Sequence, residues 1–138
     1  MQPHRNAQTN IAVVLKFLNN IMKKRTITFL MSDFVSTNYK PALQIASKKH
    51  DLVGVHIYDV CDESLPDVGI MQIEDSETHN YQWVDTSSSA FQKQYKNQFD
   101  EIVKKTKSDF ATSGASLVSV RTDADYVKKL HLFFNSRR

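Results

Sequence analysis

Three short apolar runs constrain this chain more than any other feature: Thr26-Ile27-Thr28-Phe29-Leu30-Met31, residues 52–58 and residues 115–120. Each is rich in β-branched residues and shows little polar alternation, as strands do when both faces are covered. Helical spacing fills the stretches around them. Ile11, Val14, Leu15, Leu18, Ile21 and Met22 recur at helical intervals, with Thr9 or Asn10 placed to cap the helix. Lys23, Lys24 and Arg25 suit its last turn, where cations meet the negative end of the helix dipole. Asn38-Tyr39-Lys40-Pro41 opens a second helix with Pro41 in the first turn and Leu43, Ile45 and Ala46 facing inward. Strand and helix alternate, so right-handed crossovers and a parallel sheet follow, which makes this an α/β fold.

The connection between the second and third runs has a different texture. Residues 68–74 and 81–84 alternate, with Met71, Ile73, Tyr81 and Trp83 as candidate inward residues. The polar stretch Asp75-Ser76-Glu77-Thr78-His79-Asn80 joins them, which predicts a β-hairpin. A long helix follows, capped by Ser89 with Gln92 three residues on. Phe91, Tyr95, Phe99, Ile102, Thr106 and Phe110 mark its buried stripe, and Gly114 suits its end. The final helix starts at Thr122 or Asp123, with Tyr126, Leu130 and Phe133 or Phe134 on its apolar face. With no repeat and no linker-like segment, residues 1–138 read as a single domain.

The order of elements leaves one strand exposed. The chain starts with a helix, so the run from Thr26 to Met31 has a neighbour on one side only. A bare apolar edge invites pairing with another chain, a second copy included. The expectation is therefore the carboxyl-terminal half of a larger three-layer fold, with three parallel strands and a hairpin present and earlier strands missing.

Asp33 follows that strand directly, where an open parallel sheet places its ligands. Thr9 opens the helix leading into the same strand, and a hydroxyl and a carboxylate are hard oxygen ligands suited to Mg²⁺. Asp59 and Asp123 fall at strand ends on the same predicted face, where a cap or a solvated loop carboxylate is the ordinary role. Asp67 and the crowded Glu74, Asp75 and Glu77 fit either an exposed polar turn, the more common reading, or an acidic surface whose repulsion a basic partner would relieve. His4, His50, His56, His79 and His131 lie in separate segments with no metal-binding spacing, and read as surface or structural residues.

Composition narrows the classes further. Eighteen basic against fifteen acidic residues give a net charge of +3, scattered rather than striped, which argues against nucleic acid. Cys61 stands alone, so neither a disulfide framework nor a cysteine zinc site is built within the chain. No run approaches the roughly 20 apolar residues of a membrane span, and the start lacks the apolar core of a signal peptide, so a cytoplasmic protein is expected. No nucleophile elbow, phosphate-binding loop or dinucleotide turn is present, and three glycines leave little room for one. The expectation is a binding protein rather than an enzyme, with Mg²⁺-dependent phosphoester hydrolysis at Asp33 as the enzymatic rival.

Several segments, taken in order, carry a resemblance. They are Thr9-Asn10-Ile11, Leu30-Met31-Ser32-Asp33-Phe34, Lys49-His50-Asp51-Leu52-Val53-Gly54-Val55 and Asp59. Leu65-Pro66-Asp67-Val68-Gly69, Glu74-Asp75-Ser76-Glu77-Thr78, Trp83-Val84-Asp85-Thr86 and Arg121-Thr122-Asp123-Ala124-Asp125-Tyr126 continue them. Together they resemble the carboxyl-terminal part of a bacterial family of von Willebrand factor A-like proteins, a domain of unknown function whose members commonly sit beside MoxR-type AAA+ ATPases. The resemblance implies a protein-interaction module that helps such an ATPase assemble or remodel client complexes. It also implies a Mg²⁺-dependent adhesion site, with Thr9 matching the family's Thr and Asp33 its last Asp. The family's Asp-x-Ser-x-Ser segment has no counterpart in this chain, so the implied site is incomplete here.

Overall fold

A computed structural model describes residues 9–75 and 78–137. The elements run α1 (Ile11–Ile21), β1 (Ile27–Ser32), α2 (Lys40–Lys49), β2 (Asp51–Tyr58), α3 (Val60–Glu63), β3 (Ile70–Glu74), β4 (Tyr81–Asp85), α4 (Ser89–Ser113), β5 (Ser116–Arg121) and α5 (Tyr126–Ser136). Strands β1, β2 and β5 form a parallel sheet in that order, and β3 and β4 form a separate antiparallel hairpin.

Helices cover the parallel sheet on both sides. On one side Ile11 and Leu15 of α1, Ala42, Leu43 and Ala46 of α2 and Phe110 of α4 close over Leu52, Leu30 and Leu117. On the other side Leu130 and Phe133 of α5 pack on Val55, Val118 and Val120. Central β2 is buried over most of its length, as its unalternating sequence requires. The edge strand departs from that expectation. Ile27, Phe29 and Met31 are 66%, 49% and 63% exposed, because the core packing of α5 falls on β2 and β5 while its Phe134 meets β1 edge-to-face at Phe29.

Local chemistry sets the helix ends. Asn10 caps α1, its side chain accepting from the Val13 amide at 3.2 Å, so the cap falls to Asn10 and not to Thr9. Asn10→Ala is expected to lower stability by about 1 kcal/mol, and Thr9→Ala to change it by less than about 0.5 kcal/mol, in urea denaturation. Equal costs would show that the cap is shared. Ser88 rather than Ser89 caps α4, and Asp125 rather than Thr122 or Asp123 caps α5. Gly114 ends α4 in the left-handed region, with φ of 75°. Asp59 caps the one-turn helix α3 in a reciprocal capping box with Asp62, an element that the sequence pattern does not announce.

Two inward assignments need correction. Ile45 is exposed, since it lies about 200° around the helix from Leu43, away from the face that buries Ala42, Leu43 and Ala46. In the hairpin, Met71 opposes Val84 and Ile73 opposes Gln82, which places Tyr81 and Trp83 on the other face. Both aromatic residues are therefore exposed, while Met71, Ile73 and Val84 are half-buried.

Candidate functional site

The parallel register brings the carboxyl ends of β1 and β2 together by pairing Ser32 with His56. Asp33 follows immediately. Its Oδ1 accepts from the Val35 amide at 3.2 Å, and the Phe34 amide donates to Ser32 Oγ at 3.0 Å. Phe34 takes φ of 55° and buries its ring edge-on against Phe110, 5.2 Å between centroids. The inward ring leaves Asp33 on the exposed lip of the sheet.

His56 forms the floor. It is 2% exposed, its Nδ1 lies 3.2 Å from Ser119 Oγ on β5, and its ring stacks on Tyr58 at 5.1 Å with a 19° interplanar angle. Phe99 of α4 packs on the same pair, 5.1 Å from Tyr58. Across the opening, Asp62 of α3 accepts from the Asp59 amide at 2.7 Å, and Tyr95 donates its hydroxyl to the Cys61 carbonyl at 2.6 Å. Asp33, Val35, His56, Tyr58, Asp62, Tyr95, Gln98, Phe99 and Ile102 enclose a cleft of about 180 Å³. It sits beyond the strand ends, where open α/β sheets bind ligands. Of these groups the sequence marks Asp33 as a ligand candidate and Tyr95, Phe99 and Ile102 only as a helix's inward stripe. His56 sits in an apolar run and Asp62 in an unannounced turn of helix.

Burial pushes His56 below the ordinary histidine pKa, against smaller opposing effects of Asp33 and Asp62, with Lys107 and Lys129 adding to the depression. The unfolded chain therefore binds the proton more readily than the folded one. Stability is expected to be fully present above about pH 6.5 and to fall as pH drops towards the depressed value. His56→Gln should flatten that part of a stability-against-pH profile. An unchanged slope would place the proton elsewhere.

The other sequence candidates scatter. Thr9 is exposed and lines a separate hollow with Asn10, Ala12, Val35, Ser36, Thr37 and Asn38, so Val35 lines both hollows while Thr9 and Asp33 share neither. Asp59 accepts from the Cys61 amide at 2.9 Å and from Thr122 Oγ1 at 3.0 Å, and these bonds hold its carboxyl below the usual carboxylate range. Asp123 pairs with Arg121 at 2.6 Å. Asp67 is exposed in the loop before β3. Glu74 pairs with His79 at 2.7 Å, and Asp75 accepts from the Thr78 amide. Glu77 lies outside the described residues. The segment around Leu65 and Gly69 is tied down by Thr86, which is fully buried, donates to the Gly69 carbonyl at 2.6 Å and accepts from the Val68 amide at 3.0 Å.

Mg²⁺ needs near-octahedral oxygen coordination. Among the described residues no group of three or more His, Cys, Asp or Glu side chains is placed to hold a metal ion. Asp33 and Thr9 line separate hollows and supply at most two such ligands between them, fewer than that coordination needs.

Beside the cleft runs the open edge. Val14, Phe17 and Ile21 of α1 and Met22 just after it line, with Thr28, Phe29 and Leu30, an apolar groove of about 290 Å³ along β1. No helix among the described residues is long and apolar enough to cross a membrane.

Residues 1–105 match the family described as "Protein of unknown function DUF58". This chain belongs to that family. It is 25% identical to an uncharacterized protein of Mycobacterium avium, MAV169, over 94% of this chain and 76% of that protein. It is equally similar to uncharacterized proteins of Mycobacterium bovis (Mb1516) and Mycobacterium tuberculosis (Rv1480), but spans only 41% of their length. No solved structure matches. A DUF58 chain with a parallel sheet open at β1 and an acidic lip at Asp33 is thus what the fold presents.

Proposed function

We propose that this chain is the carboxyl-terminal half of a von Willebrand A-like protein-interaction module, non-catalytic and cytoplasmic, that works with a MoxR-type AAA+ ATPase in assembling or remodelling client complexes. The observation that supports it is β1, an edge strand with exposed Ile27, Phe29 and Met31 whose end carries Asp33. A strand of that composition belongs inside a sheet, and a further strand on its free edge would bury the groove and bring new groups to the lip beside Asp33. The greater length of the mycobacterial relatives leaves ample chain for such a strand. The remaining Mg²⁺ ligands would have to come with it.

The test uses the full-length protein that carries this chain, immobilised and exposed to its MoxR-type ATPase with Mg²⁺ or with EDTA. Retention in Mg²⁺, lost in EDTA and in Asp33→Ala, is the expected result. No retention under either condition would reject the ATPase partnership. A second reading, supported by the same open edge, is a metal-independent half-domain that acts by strand pairing. Its mark is retention that survives both EDTA and Asp33→Ala.

A further inference from the structure

The cleft beside β1 has a chemical bias of its own. Asp33 and Asp62 are the charged side chains lining it, in a chain whose net charge is +3. Each carboxylate accepts a backbone amide through one oxygen, Asp33 from Val35 and Asp62 from Asp59, which fixes its position and leaves its other oxygen available. Lys107 and Lys129 act on His56 from nearby, but neither lines the cleft.

A second observation is independent of those carboxylates. His56 is 2% exposed and lines the cleft, its Nδ1 is engaged by Ser119, and its Nε2 has no hydrogen-bond partner among the described residues. In the tautomer that donates Nδ1–H to Ser119 Oγ, Nε2 is left as an acceptor. In that tautomer three acceptor groups, Asp33, Asp62 and His56, line one cleft. The His56–Tyr58 stack with Phe99 beside it adds a flat aromatic wall.

We propose that this cleft receives the guanidinium of an arginine side chain presented by a protein partner. A guanidinium is planar, carries five donors and stacks on aromatic rings, whereas an ammonium is a more strongly hydrated point charge. Its forked donors suit carboxylates. A volume of about 180 Å³ suits one side-chain head rather than a folded segment. The inference goes beyond the proposed function and needs neither Mg²⁺, an ATPase nor a completed sheet.

The experiment titrates the 138-residue chain, in EDTA, with three small probes followed by amide NMR. They are Nα-acetyl-arginine N-methylamide, its citrulline counterpart, which keeps the shape without the charge, and its lysine counterpart. The arginine probe is expected to shift amides around Asp33, His56 and Asp62 and to bind about tenfold more tightly than the citrulline probe. The double variant D33N/D62N should lose that preference. Asparagine at both positions can still accept the Val35 and Asp59 amides, so the loops keep their bonds, and an unchanged spectrum elsewhere verifies the fold. Equal binding of arginine and citrulline, no binding of either, or a preference that survives in D33N/D62N would overturn the proposal. Equal binding of lysine and arginine would overturn the guanidinium assignment.

Discussion

Replacing Phe110 with alanine is expected to cost about 3–5 kcal/mol of folding stability, because a fully buried ring leaves a cavity that its neighbours fill only in part. Phe110 is 1% exposed and stands at the junction of α4, β2 and the Asp33 loop. It packs edge-on against Phe34, whose inward ring holds the backbone that presents Asp33. It also lies so close to β2 that a methyl group on Gly54 would come within 2.5 Å of Phe110 Cζ and 2.8 Å of Leu117 Cδ1. Gly54→Ala alone is therefore expected to cost about 1–3 kcal/mol through overpacking.

The two changes should not add. In Gly54→Ala/Phe110→Ala the new methyl occupies space that the lost ring vacates, so the double variant should be less damaged than the sum of the singles. Urea denaturation followed by circular dichroism measures all three. A loss below about 1 kcal/mol for Phe110→Ala would mean that this contact does not organise the core. Additive losses would mean that Gly54 and Phe110 do not share the space assigned to them.

The second large effect concerns association. The isolated chain is expected to self-associate through β1, and Ile27→Lys/Met31→Lys to lower that association at least about tenfold, since charged residues on an edge disfavour further pairing. Both positions are well exposed, so folding stability should change by no more than about 0.5 kcal/mol each. Sedimentation velocity over a range of concentrations, beside a urea titration, separates the two quantities. Equal association of wild type and double variant would show that β1 is not the adhesive surface, and would also weaken the proposed sheet completion.

Much of the architecture was legible because buried strands and amphipathic helices leave periodic traces. β2 reads as a covered strand and is one, and the stripe from Phe91 to Phe110 along α4 marks the face that turns inward, deepening to full burial at Thr106 and Phe110. The position of Asp33 at the end of β1 was legible because a carboxylate just past a parallel strand has a predictable place. Its neighbours were not. His56 is one residue in an apolar run, and only the Ser32–His56 register sets it beside Asp33. Asp62 arrives there on a one-turn helix too short to show a period.

The amino-acid sequence by itself determined the order and type of the main elements, their approximate ends and the free position of β1, since apolar periodicity and capping are local properties. Tertiary structure decided what depends on which elements meet. It left one face of β1 bare although β1 and β2 have similar composition, because α5 covers β2 and β5 and only touches β1. It turned Tyr81 and Trp83 outward, because strand register sets the face and no single strand encodes its partner's alignment. It also placed Thr9 and Asp33 in different hollows and Asp33 in one cleft with His56 and Asp62, since a cleft between elements exists only once they are packed.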